Sequence, residues 1–250
     1  MRNNTLKYSL VLSIFLSIIS CQKEPSAQEI IDTTIEVAGG DAYSGSLIEF
    51  DFRNVHYKGR KDADGFKMSR LFYDDTSKVY DKMTADVFIR TINGVNVSLE
   101  DTMINKFRNS INSVFYFALL PFGLNDAAVQ KQYLNQVTIH DKEYHKIEVS
   151  FMQEGGGDDF EDVYIYWINT ETNKIDFLAY SFEVNGGGLR FREAYNERYV
   201  NGIRFVDYVN YKAKPDKTDV YDLDMLFQEN KLEELSRIEL EEINVQLTNS

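Results

Sequence analysis

The sequence is short of cysteine, proline, tryptophan and histidine. Its single cysteine is Cys21, so no internal disulfide can form and the fold must rest on its own packed core. Three prolines and 14 glycines among 250 residues exclude collagen-like and Pro/Gly-rich low-complexity chains. Three histidines, His56, His140 and His145, leave few imidazoles for a metal centre or a general base. Positive charge is scarce: 27 Lys and Arg stand against 40 Asp and Glu, for a net charge of −13. With no basic stripe carrying interleaved aromatics, nucleic acid is not an expected partner.

What the chain has in quantity is Phe and Tyr, 17 and 16 of them, residues that favour strands. The first seven residues are basic, and 8–19 is an apolar stretch too short for the roughly 20 residues that cross a bilayer. Basic segment, short apolar segment and small residue together have the form of a signal peptide. The stretch Ile18-Ile19-Ser20-Cys21 resembles the bacterial lipobox. That resemblance implies cleavage between Ser20 and Cys21, a diacylglycerol on the Cys21 thiol and an acyl chain, such as palmitate, on its new amine. Two or three chains hold a soluble domain on a membrane where one does not. Gln22, Lys23 and Glu24 follow. They resemble the export signal of surface lipoproteins of Bacteroidota, and they read equally well as a polar tether. The expected organisation is a signal peptide at 1–20, a lipidated tether at 21–26 and one domain at 27–250. The expected location is the cell envelope, anchored by lipid at the outer membrane, with the leaflet open.

Ser26 and Glu29 have the spacing of a capping box, and apolar residues recur at helical spacing to Ala38 before Gly39-Gly40. This predicts a helix over about 27–38. From Ser46 the apolar period becomes two, as in Ile48, Phe50 and Phe52, which predicts half-buried strands. Asn93-Gly94 is a hairpin turn signal. Met103, Ile104, Phe107, Ile111, Val114, Phe115 and Ala118 return to helical spacing, ended by Pro121 and Gly123. Strands then resume. The segment 235–247 reads as one last strand with a bulge near Glu242. The expectation is about ten antiparallel strands forming a curved sheet or incomplete β-barrel. An N-terminal helix and a central apolar helix would pack on its concave side. In "VYIYWI", 163–168, both faces are apolar, as suits a sheet packed by helices or a ligand.

This order of elements, with "YIYWINTETNKIDFLAYSF" and "YNERYVNGIRFVDYV" inside it, resembles the lipoprotein carrier and receptor fold of the Lol type. It is closest to single-domain lipoproteins of flavobacteria with this layout. The resemblance implies an incomplete β-barrel with helices in its mouth, a hydrophobic cavity for an acyl chain or similar molecule, and no catalytic residues.

The residues themselves add little chemistry. His140 and His145, near Asp141 and Glu143, lack a known ligand spacing, and neither "DADG" at 62–65 nor "GGGDDFED" at 155–162 meets the calcium-loop pattern. No nucleophile elbow, phosphate loop or dinucleotide fingerprint occurs. No metal, no cofactor other than the lipid on Cys21, and no catalytic residue is expected. Eleven aromatics could line a cavity: Phe50, Phe52, Phe72, Phe88, Phe115, Phe117, Tyr164, Tyr166, Phe177, Tyr180 and Phe182. They could equally fill a core. The leading expectation is therefore an anchored lipoprotein that binds or carries an apolar small molecule or lipid. The alternatives are a structural or interaction lipoprotein with a filled core, and an envelope hydrolase. Protein partners are not legible.

Overall fold

Two seven-stranded antiparallel sheets face each other across a helix without closing into a barrel. The computed structural model describes residues 25–62, 65–154, 162–182, 187–213 and 218–247. The signal segment, Ser20, Cys21 and 22–24 lie outside them, as do 63–64 of the "DADG" turn and 155–161 of the acidic loop.

Helix α1 (Ala27–Val37) begins as the sequence predicts. The Ser26 side chain accepts from the Glu29 backbone N–H, and the Glu29 side chain accepts from Ser26. The first sheet follows: β1 (Leu47–Phe52), β2 (Val55–Asp62), β3 (Gly65–Asp74), β4 (Ser77–Met83), β5 (Phe88–Ile92) and β6 (Val95–Val97). Then come helix α2 (Asp101–Ala118) and the second sheet, made of β7 (Val129–Ile139), β8 (Lys142–Phe151), β9 (Tyr164–Asn169), β10 (Ile175–Phe182), β11 (Gly188–Val200) and β12 (Ile203–Lys212). Helix α3 (Leu223–Gln228), β13 (Glu233–Ile238) and β14 (Glu241–Gln246) end the chain. The orders are β14-β1-β2-β3-β4-β5-β6 and β13-β12-β11-β10-β9-β8-β7. The edge strands are therefore β14 and β6 in the first sheet and β13 and β7 in the second, and β6 and β7 flank α2 in sequence.

The described residues form fourteen strands where the pattern suggests about ten. One added strand comes from the turn between β1 and β2. Arg53 and Asn54 both adopt positive φ there, 52° and 61°, and an arginine is not a turn signal. Another added strand is at the C-terminus. Residues 235–247 are not one bulged strand, because the chain leaves the second sheet at β13 and joins the first at β14. Leu240 sits buried at this corner. Its N–H donates to Asp207 (3.0 Å) and its carbonyl accepts from Arg198 (2.7 Å). Backbone groups that lose their ladder partners at a buried corner need such replacements. Arg198 also bonds Asp207 (2.9 Å), so one buried carboxylate fixes the joint between the sheets.

The core has an inside and an outside. Inside, α2 lies between the sheets. Ile111 and Phe115 pack on Phe50, Tyr57 and Met68 of the first, while Tyr116 and Phe117 meet Tyr164 and Tyr180 of the second. The helix approaches closely at Gly59 of β2, where a Cβ would stand 2.5 Å from the Phe115 ring. A larger residue there would force the Phe115 ring to shift. Helix α1 covers the same inner face of the second sheet through Ile30 and Ile31. Outside, α3 lays Leu223, Leu226 and Phe227 over Ile165, Trp167, Phe177 and Phe191. The two apolar faces of β9 are thus both covered by helices.

Candidate functional site

The site is built around the C-terminal half of α2. Asp101 lies in its first turn, favourable to the helix dipole. Apolar residues at 111, 114, 115 and 118 then give it a face that both sheets bury. Pro121 follows the cap and cannot continue the helix.

Beside this half of α2 is a partly open cavity of about 190 Å³, bounded by β1, α2 and strands β11 to β13. Phe52, Val114, Phe117, Val206, Ile238 and Leu240 make most of its wall. Its polar groups are Arg53, Ser113, Arg192, Tyr208 and Asn210, so the wall contains two arginines and no carboxylate. On the other side of α2 is a second, more open cleft of about 330 Å³. Phe66, Phe115 and Phe122 line it, with Lys61 and Asp126 paired at 3.4 Å.

Arg192 comes from β11, where its residue parity puts it on the inner face while Phe191 faces α3. It is only 7% exposed. Its guanidinium carbon lies 3.8 Å from the Phe117 ring centroid, and Nη2 donates to the Tyr180 hydroxyl at 2.9 Å. Directly across the ladder is Asn210 of β12, whose Nδ2 donates to Ser236 at 3.2 Å. Arg192 Nε and Asn210 Oδ1 are both buried and have no hydrogen-bond partner. Tyr208 beside them is fully enclosed. Burial pushes its hydroxyl pKa up, while the charges of Arg204 and Arg192 work in the other direction.

The eleven aromatics singled out in the sequence fall into separate places. Phe52 and Phe117 line the first cavity, and Phe115 lines the second cleft. Phe50 is fully buried, stacked on Tyr57 at 5.5 Å. Phe88 stacks on Phe107 of α2, and Phe72 lies beside the guanidinium groups of Arg70 and Arg90. Tyr164 stacks on Tyr180, and the Tyr166 hydroxyl bonds that of Tyr116 under the helix. Burial raises the pKa of both hydroxyls in that pair. Phe182 ends β10 beside Arg190. Phe177 is on the outer face with Phe191 and Phe227, so it does not share the concave side. Sequence reasoning passed over Arg192 and Asn210. Each sits in an alternating or mixed strand where a polar residue reads as solvent-facing.

The histidines lie apart from the cavity. His140 packs on Phe227, His145 on Tyr133, and His56 bonds Asp51 at 2.6 Å. Among the described residues, no group of three or more His, Cys, Asp or Glu could hold a metal ion. No helix among them is long and apolar enough to cross a membrane.

Residues 6–240 match the Family of unknown function (DUF6503). The chain belongs to that family. No curated protein sequence matches this DUF6503 chain. Among solved structures it is similar to a LolA superfamily protein from Nitrosomonas europaea, with 11% identity and a TM-score of 0.46 over 90% of this chain and 95% of that one. It is also similar to a DUF1329 family protein from Desulfovibrio piger, at 8% identity and a TM-score of 0.48 over the same shares. A third is a putative outer membrane lipoprotein-sorting protein domain from Vibrio parahaemolyticus. Here identity is 8% and the TM-score 0.38, over 79% of this chain and 99% of that one.

Proposed function

We propose that this protein is a lipid-anchored envelope protein that holds an apolar ligand, an acyl chain or a similar molecule, between α2 and its two sheets. The observation that carries this reading is the cavity of about 190 Å³ whose wall is mostly apolar side chain. Empty apolar space beside a well-packed helix loses dispersion contacts and is filled at a gain. The second cleft lies across the same helix, so an outward shift of α2 would join the two spaces for a longer chain. The anchor is read from the lipobox at 18–21, with diacylglycerol on Cys21. A Cys21→Ser protein is then expected in the soluble fraction.

Native mass spectrometry of detergent-free protein, with organic extraction of what it carries, tests the ligand. The expected result is a retained apolar molecule, or uptake of one supplied from vesicles. Protein that neither retains nor takes up any would end this reading. The alternative, an interaction protein with a filled core, is favoured by one observation. The cavity is smaller than the roughly 300–1,000 Å³ usual for ligand sites.

A further inference from the structure

We infer that the cavity beside α2 receives the acidic head group of a single-chain amphiphile, held by Arg192. The inference rests on the apolar-ligand reading and specifies which end of the ligand enters.

Among the described residues, Arg192 is a buried cation without an anion. It is 7% exposed, and its one hydrogen bond to a side chain is to a neutral tyrosine hydroxyl. Among the described residues no carboxylate pairs with it, although the chain carries 40 Asp and Glu. Elsewhere the fold does neutralise its buried cations. Arg70 and Arg90 share Asp81, Lys146 meets Asp224, and Arg204 meets Glu197. A desolvated charge is costly unless paired, so an arginine left unpaired at the wall of a cavity has the chemistry of a binding group.

Three further features agree. Arg192 Nε has no partner, so an N–H suited to a carboxylate or phosphate oxygen is unused. Arg53 adds a second positive charge to the wall, which contains no acid. Next to Arg192, Asn210 leaves Oδ1 without a partner, a place for one hydroxyl or amide hydrogen of a ligand. Phe117, Val206 and Ile238 complete the wall around the carbons that follow the head group. A cavity of about 190 Å³ compares with the ~150 Å³ apolar cavity that holds one benzene. It therefore suits a head group with a few carbons, and a longer chain must pass into the gap along α2. Water could meet the same polar atoms, and the test must separate the two.

The test uses the full chain without its signal segment. Four probes are titrated by calorimetry: octanoate, octyl phosphate, octanol and acetate. At least one of the two acidic octyl probes is expected to bind about tenfold or more tighter than octanol, the advantage of a charged hydrogen bond. Acetate alone should bind weakly. In Arg192→Met the preference for acid over alcohol should fall to about twofold, while octanol affinity is retained. Which acidic probe binds more tightly then identifies a carboxylate or a phosphate head group. Equal affinity for octanol and both acidic probes overturns the inference and leaves the apolar-ligand reading standing. A preference that survives in a folded Arg192→Met protein overturns it too. If none of the octyl probes binds, the inference falls, and the native mass spectrometry alone decides the apolar-ligand reading. The wild-type comparison decides the matter even if the variant does not fold.

Discussion

The two sheets are built to the same count and solve the same problem differently. The second is covered on both sides. Every residue of β9 and eight of the ten in β12 are buried, because α1 and α2 fill the inner face and α3 the outer one. Among the described residues, the first is covered on one side only. In β4, buried Val79, Asp81 and Met83 alternate with exposed Lys78, Tyr80 and Lys82. Its inner face is also not wholly apolar. Beneath the N-terminal half of α2, Asp81 is fully buried and accepts from Arg70 Nε at 2.8 Å and from Arg90 at 2.6 and 2.7 Å. Phe107 lies 3.6 Å from the Arg90 guanidinium carbon, and Ser110 accepts from Arg70 at 2.9 Å. One end of α2 is therefore held by charge and the other by packing. The cavity lies at the packed end, where Arg192, without an acidic partner among the described residues, is the exception.

The largest effect that would test this contrast is on the outer faces. Trp167 is fully buried under α3, and its Nε1 donates to Asp224 at 3.1 Å. Trp167→Ala should cost about 3–5 kcal/mol in urea denaturation, from lost burial and the cavity left behind. Tyr73 occupies an outer position of the first sheet and is 67% exposed. Tyr73→Ser should change stability by less than about 0.5 kcal/mol. Similar costs for the two would mean that the outer face of the first sheet is covered as well.

Next in size is Asp81→Asn, which leaves two arginines without their shared counter-charge. A loss of about 3 kcal/mol is expected, again by urea denaturation. The sharper version replaces all three residues, with Met at 70 and 90 and Leu at 81. If the network is a charge problem solved locally, the triple variant should lose much less than the single one. A triple variant as unstable as Asp81→Asn would instead make the network a source of stability.

Parts of this contrast were legible in the residues. The Ser26–Glu29 capping box, the Asn93-Gly94 turn and the helical spacing from 103 to 118 follow from local rules, and each lies where those rules put it. The corner at Leu240 was not legible. The alternation through 235–247 is continuous in either sheet, and only Asp207 and Arg198, distant in sequence, distinguish a crossing from a bulge. The second apolar face of β9 was visible, but its cover was not, since nothing local in the short helix α3 tells which face of which strand it packs on. Arg192 was hidden for the opposite reason. It lies between Phe191 and Glu193 in a strand whose polar residues look solvent-facing. Only the position of Phe191 under α3 fixes which face Arg192 takes. Phe and Tyr were easy to nominate for a cavity and hard to sort, because packing in a core and lining a space require the same side chains.

The smallest predicted effect concerns what covering a second face costs. Asp176 of β10 is partly buried beside Tyr144, whose hydroxyl donates to it at 3.1 Å. Burial raises its carboxyl pKa above the ordinary 3.8, against the opposing influence of the Tyr144 bond, Arg204 and Lys142. The sign follows from which state holds the proton. Between 3.8 and the raised folded value the native state binds more protons than the unfolded one, so stability falls as pH rises through that window. At neutral pH the charged Asp176 therefore works against folding. Asp176→Asn keeps an acceptor for the Tyr144 hydroxyl and removes the charge. It should raise the midpoint of thermal unfolding slightly at pH 7, and the gain should shrink toward zero below the ordinary carboxyl range. A gain independent of pH would assign the effect to packing, and a loss at pH 7 would mean that Arg204 and Lys142 outweigh burial at this site.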